Sequence, residues 1–172
     1  MIIGLGHAAQ VGKDSFGAVL VERHGFTRLS FADALRDLVY RTNYTVSFLV
    51  DTIGWEVAKT TYPAMVRQPL IDVGNACRDI FGEGVWIQAV AGQMDKNQLA
   101  DYVITDVRFP NEAAWIKRCG GKVVRIDRPG VQPLDNVTDK ALVGYDGWDY
   151  VVKNDGTLED LAAQADKLME TI

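Results

Sequence analysis

Two cysteines and two histidines in 172 residues leave little material for a metal centre built on sulfur or imidazole. Cys77 and Cys119 have no metal-type spacing and fall in apolar-periodic stretches, so both are expected as buried free thiols in a reducing compartment. His7 and His24 have no partner pattern that would give either a catalytic role. Positive charge is also short. Against 23 Asp and Glu there are 18 Lys and Arg, a net charge of −5, which argues against broad binding to a nucleic acid polymer but leaves room for a local basic cleft. No apolar run is long enough to cross a membrane, and Met1-Ile2-Ile3 does not resemble a secretory signal. The expected location is the cytoplasm, with no membrane partner. The length and an ordinary 48% hydrophobic content suit a single domain over 1–172.

What is present is concentrated first at the N-terminus. The apolar run from Met1 leads into Gly4-Leu5-Gly6-His7-Ala8-Ala9-Gln10-Val11-Gly12-Lys13-Asp14-Ser15 and then into a helical pattern. This is the arrangement of a phosphate-binding loop. Unpaired N–H groups and the positive end of the helix dipole attract polyphosphate there. Gly12 lets the backbone approach the ligand and Lys13 supplies a mobile charge, while Ser15, and Asp14 beside it, can reach a bound Mg²⁺ directly or through water. The strict spacing would place glycine where His7 stands and Ser or Thr where Asp14 stands.

Apolar periodicity then predicts alternating strands and helices. Strands are expected over Phe26 to Phe31, Tyr102 to Val107, Lys122 to Asp127 and Tyr150 to Lys153, in addition to the first. Helices follow the loop and begin at Ala32, Pro110 and Leu158, the last capped by Thr157. From about 42 to 99 the pattern is helical without a strand, with Pro63 and Pro69 as punctuation. The stretch from Val131 to Asp146 reads as loop. Alternation of this kind implies an α/β fold, a parallel sheet with helices on both faces, and ligands at the carboxyl ends of the strands.

That edge gathers the phosphate loop, Asp33 with Arg36, Asp106 with Arg108, and the turn Asn154-Asp155-Gly156, with Arg67 and Arg78 supplied by the helical segment. Phosphoryl transfer depends on positioning and charge, so such cations and carboxylates suit a kinase. Trp55, Trp86 and Trp115 are expected as packing residues.

The run Thr105-Asp106-Val107-Arg108-Phe109-Pro110-Asn111-Glu112 closely resembles the bacteriophage-type deoxynucleoside monophosphate kinases. So do Gly12-Lys13-Asp14-Ser15, Ser30-Phe31-Ala32-Asp33, Arg67 through Trp86, Gly120 to Ile126 and Asn154-Asp155-Gly156-Thr157, in the family's order and over most of the chain. The resemblance implies a three-layer P-loop kinase fold with a five-stranded parallel sheet and a helical insertion that binds the nucleoside monophosphate. It implies transfer of the γ-phosphoryl group of ATP, with Mg²⁺, to a deoxynucleoside 5′-monophosphate. Gly12, Lys13, Asp14 and Ser15 would hold ATP phosphates, with Ser15 the metal ligand, and Asn154, Gly156 and Thr157 would lie near the adenine. Lys13, Arg108 and Asp106 would be the catalytic group, and Asp33, Arg36, Arg67 and Arg78 the acceptor contacts.

The chain departs from the family at His7, where glycine is usual, so that either Gly6 takes over through a different loop path or the loop is distorted. It also lacks an evident S-E pair before the last strand. Thr138-Asp139 is the nearest counterpart, and that loop is left out of the expected site. Two other readings stand beside the first: a P-loop kinase of another small acceptor such as dephospho-coenzyme A, and a nucleotide-binding module without turnover. A homodimer is compatible with all three.

Overall fold

The computed structural model describes residues 1–97, 99–133 and 137–172. The expected loop over 131–146, including Asn136, and the outer end of the expected insertion near 99 therefore fall partly outside the described residues.

Five short runs form one parallel sheet: β1 (Ile2–Gly6), β2 (Thr27–Leu29), β3 (Tyr102–Val107), β4 (Lys122–Asp127) and β5 (Tyr150–Lys153). Their spatial order is β2-β3-β1-β4-β5, and every neighbouring pair is parallel. Parallel strands need crossovers, and the intervening helices supply them. Side chains alternate across β1. Ile3 and Leu5 join Phe16 and Leu20 of α1 (Lys13–His24) and Leu161, Ala165 and Leu168 of the C-terminal helix in one core cluster. Gly4 faces the other way, against Ile116, on the helix Pro110–Arg118 that contacts β1 and β4. Both faces are thus covered, which is why the central strands carry no polar stripe. The five-stranded α/β expectation holds, with one change: Phe31 ends no strand but opens a helix.

Two compact units divide the chain. The first, Met1–Ser30 with Gly92–Ile172, holds the sheet; the second, Phe31–Ala91, is helical. In the helical unit α2 (Phe31–Thr42), α3 (Tyr44–Ile53), α4 (Trp55–Thr61) and α5 (Pro63–Phe81) follow one another through single linking residues, and α6 (Val85–Met94) begins there. Asn43 caps α3 by accepting from the Val46 amide at 3.1 Å. Pro63 opens α5 as expected, but Pro69 lies inside it. A proline forfeits one helix hydrogen bond; burial of Val66 and Gly74 along this 19-residue helix carries it through. The two-turn α4 escapes periodicity because seven residues are too few to repeat an apolar face. Among the described residues no helix is long and apolar enough to cross a membrane.

In the first unit, α7 (Pro110–Arg118) follows β3, the short α8 (Val137–Lys140) precedes β5, and α9 (Leu158–Thr171) closes the chain. Cys119 is exposed and Cys77 only partly covered, so the expectation of two buried thiols is corrected. Cys119 follows the last turn of α7, where the chain has already left the core.

Candidate functional site

Between β1 and α1 the backbone turns back on itself through three residues with positive φ: His7 at 90°, Gln10 at 61° and Gly12 at 102°. His7 therefore adopts a left-handed conformation that favours glycine, at the position where the resemblance leads one to expect glycine. Gly6 serves another purpose, since a Cβ there would lie 2.6 Å from the Trp148 ring. Gly12 has both needs, a positive φ and a close neighbour: a Cβ would stand 2.5 Å from Asn154 Nδ2. The same Asn154 amide donates to the Val11 carbonyl at 2.9 Å. Asn154, expected near an adenine, is thus a brace that ties the end of β5 to the loop.

His7 holds this conformation at a cost of roughly 1–3 kcal/mol. Its Nδ1 lies 3.0 Å from Asp127 Oδ1 but without hydrogen-bond alignment, and among the described residues it finds no hydrogen-bond partner. Burial, followed by the nearby Arg125 charge, lowers the His7 pKa below its usual 6.5. Two outcomes are expected in thermal melts. His7→Gly should fold with near-normal stability at pH 7.5, whereas the β-branched His7→Val should lose about 1–3 kcal/mol. Because the unfolded chain binds the His7 proton more readily than the folded one, stability falls as pH drops below 6.5 and levels off below the lowered pKa. His7→Gly should therefore lose less stability than the parent between pH 7.5 and 5.5; equal losses would contradict this.

Lys13, the first residue of α1, is 7% exposed. Its ammonium donates to the carbonyls of His7, at 3.2 Å, and Ala8. Desolvation, reinforced by the Arg108 charge, lowers its pKa to about 8, with Asp14, Asp139 and Asp106 pulling the other way. The expected catalytic group, Lys13, Arg108 and Asp106, is therefore gathered in one electrostatic neighbourhood. Each member has a support. Ser30 donates to Asp106 Oδ2 at 2.7 Å. Glu112, 2% exposed, accepts from the backbone amides of Arg108 and Phe109 at 2.8 and 3.1 Å and fixes the turn after β3. Arg108 Nη1 donates to Asp139 Oδ1 at 2.9 Å.

Asp139 is the residue that sequence reasoning left out. Its side chain is 2% exposed, and its second oxygen accepts from the Ala9 amide of the phosphate loop at 3.2 Å. One carboxylate thus links the guanidinium of Arg108 to the loop. Its only sequence signal is the Thr138-Asp139 pair in the place of the family's S-E.

The other expected donor-side residues are dispersed. Asp14 and Ser15 are exposed on the first turn of α1, where an acid complements the helix dipole. Thr157 caps α9, accepting from the Asp160 amide and donating to its carboxylate at 2.7 Å. Gly156 packs on that same Asp160.

Within the helical unit, Arg36 lies 3.6 Å from Asp33 on the first turns of α2. Arg67 Nε donates to the Lys59 carbonyl at 3.1 Å. A hydrogen bond from Lys59 lowers the Glu56 pKa, and the Arg36 and Arg67 charges add to the effect. Both of those charges thus act on Glu56. Arg78 lies eleven residues beyond Arg67 on α5, roughly 16 Å along the axis, and faces Glu83 at 3.5 Å. Of the tryptophans expected to pack, Trp86 is buried at 6%, whereas Trp115 and Trp55 are partly buried, and Trp55 lines a surface pocket with Asp33 and Arg36.

A positive-φ loop at the head of α1 with a buried lysine fits a nucleotide polyphosphate. Among the described residues no group of three or more His, Cys, Asp or Glu side chains could hold a metal. The donor set that remains, a serine hydroxyl at the helix start and a strand-end carboxylate, is of the kind that shares Mg²⁺ with phosphate oxygens.

Comparison with known proteins bears on the family and the fold. A family model described as deoxynucleotide monophosphate kinase matches residues 73–165. A protein of Acanthamoeba polyphaga mimivirus whose name gives the same activity is 30% identical, over 95% of this chain and 93% of that protein. The deoxynucleotide monophosphate kinase of Escherichia phage RB69 is 31% identical over 53% of this chain and 38% of its own length. Among solved structures, shikimate kinase from Aquifex aeolicus matches with a TM-score of 0.53 at 16% identity, covering 99% and 97% of the two chains. Dephospho-CoA kinase from Campylobacter jejuni matches equally well at 14% identity, covering 98% and 95%. At such identities these two speak for the fold alone, a P-loop kinase fold. With more than half of its residues matched by the family model and the mimivirus protein matched almost end to end, the chain belongs to the deoxynucleotide monophosphate kinase family, kinases of P-loop fold.

Proposed function

We propose that the protein transfers the γ-phosphoryl group of ATP to a deoxynucleoside 5′-monophosphate, giving the diphosphate and ADP. The observation that carries this reading is the grouping of the buried Lys13 with the partly exposed Arg108 and Asp106 near the head of α1, with Arg108 tied to the phosphate loop through Asp139. In this reading the loop amides and Lys13 hold the donor phosphates, and Arg108 offsets negative charge on the transferring group. Mg²⁺, when bound with ATP, neutralises charge on the phosphate oxygens. Ser15 would hold it directly, and Asp106, oriented by Ser30, would hold a metal-bound water. The acceptor phosphate is anionic near neutral pH, so no strong base is required of either carboxylate. Arg36 and Arg67 would take the acceptor phosphate, and Asp33 would order Arg36. Arg78 would serve a different part of the acceptor or none.

The lowered Lys13 pKa supplies a measurable consequence. Near pH 8 about half of the free protein's Lys13 is neutral, and a bound polyphosphate favours its charged form. ATP binding at pH 8 should take up as much as roughly half a proton per chain, seen as a dependence of the calorimetric binding enthalpy on buffer ionisation enthalpy. Lys13→Met should abolish that dependence. No uptake by the parent protein would contradict the assignment of Lys13 to the phosphate site.

The function itself is tested by incubating the protein with ATP and Mg²⁺ and each deoxynucleoside monophosphate in turn, with dephospho-coenzyme A as a further acceptor, and identifying products by chromatography. ADP with a matching dNDP is expected. ADP formed only with dephospho-coenzyme A, or no ADP above the control lacking acceptor, would overturn the proposal.

A further inference from the structure

Along α2, Asp33, Arg36, Asp37 and Tyr40 recur at spacings of three, one and three, and so share one face of the helix. A polar stripe of this kind ordinarily meets open water. Here all four side chains, together with Trp55 at the start of α4, line an open surface pocket of about 370 Å³. That is within the size range of small-molecule sites, roughly 300–1,000 Å³.

The members of this wall differ in how they are engaged. Tyr40 donates its hydroxyl to Asp51 at 2.7 Å, and Asp37 accepts from Arg41 at 2.8 Å, so both belong to the frame. Arg36 stands 3.6 Å from Asp33, and the charge of Arg67 reaches the same region through Glu56, the residue next to Trp55. An indole, two carboxylates and the Arg36 guanidinium thus line one pocket within the helical unit. An aromatic face stacks any nucleobase whatever its edge, and arginine is the preferred partner of phosphate.

We propose that Trp55 is the stacking platform for the base of the acceptor nucleotide, with Arg36 at the phosphate end of the same pocket. This rests on the proposed kinase activity and adds to it the residue that separates a nucleotide from a bare sugar phosphate. Stacking is indifferent to hydrogen-bond pattern, so Trp55 contributes to the affinity for every accepted base and not to the choice among them.

The test is steady-state kinetics of the full chain with ATP and Mg²⁺, comparing the parent with Trp55→Phe and Trp55→Leu. Phenylalanine keeps a π-face, whereas leucine keeps apolar bulk without one. Trp55→Leu should raise KM for each accepted dNMP by about 10-fold or more, with a smaller effect on kcat, and Trp55→Phe should recover most of that loss. Deoxyribose 5-phosphate, used as a competitive inhibitor, should show the same Ki against the parent and Trp55→Leu. The proposal is overturned if the two variants raise KM alike, if neither raises it, or if the Ki rises in step with KM. Absence of dNMP turnover in the parent protein would instead defeat the kinase reading, so the two failures are distinguishable.

Discussion

Lys13→Met is expected to lower turnover by on the order of 10²–10³-fold or more while leaving the protein folded. The charge it removes is 7% exposed, and a donor in such a dry position acts on developing charge far more strongly than one in water. Methionine fills the same channel without charge. The fold gives up the two hydrogen bonds to the His7 and Ala8 carbonyls but no longer shelters a cation that its surroundings disfavour. Those effects oppose one another, so melting temperatures at pH 7 should differ little. The parent, but not the variant, should also gain stability as pH rises from about 8 toward 10.5, because over that range the unfolded chain holds the Lys13 proton that the folded chain has lost. Near-normal turnover in Lys13→Met would remove this residue from the chemistry.

Arg108→Ala is the second large effect, and it separates chemistry from stability. Loss of the guanidinium should cost about 10²–10³-fold in turnover. It also strips Asp139, 2% exposed, of its cationic partner, and breaking a buried pair from one side is costly. Arg108 itself is 36% exposed, so the cost should be nearer 1–3 kcal/mol than the roughly 3–5 kcal/mol of a fully buried pair. Removing both partners in Arg108→Ala/Asp139→Ala should recover much of the stability and none of the activity. Asp139→Ala alone should reduce turnover less than Arg108→Ala, since the charge remains and only its orientation is lost. Chemical denaturation and steady-state kinetics on the three variants check both statements; a double variant as unstable as Arg108→Ala, or an Asp139→Ala variant as inactive as Arg108→Ala, would contradict them.

Much of the fold could be read from local pattern because its strands are short, apolar and bounded by strong punctuation. β3 and β4 sit within a residue of where β-branched runs and the Gly120-Gly121 break place them. Pro69 was misread because the rule that proline ends helices is local, while the packing that carries α5 past it is not. The phosphate loop was recognisable from Gly12-Lys13, but its departure at His7 was decided by backbone conformation, which residue identity alone does not reveal. Asp139 carried only a weak sequence signal for a related reason. Two of its partners lie 31 and 130 residues away in the chain, and no spacing rule links an acid in a short helix to an arginine after a distant strand. Trp55 and Trp86 look alike in sequence, and only burial tells them apart.

The central claim is that Lys13, Arg108 and Asp106 carry a phosphoryl group from ATP to a nucleotide acceptor. Following the label from γ-³²P-ATP tests it most directly, with Mg²⁺ and one deoxynucleoside monophosphate present, because transfer and hydrolysis place the label in different products. Label appearing in the deoxynucleoside diphosphate, at a rate that collapses in Lys13→Met, is the predicted result. Label appearing only as inorganic phosphate, or remaining in ATP with every deoxynucleoside monophosphate, would contradict it.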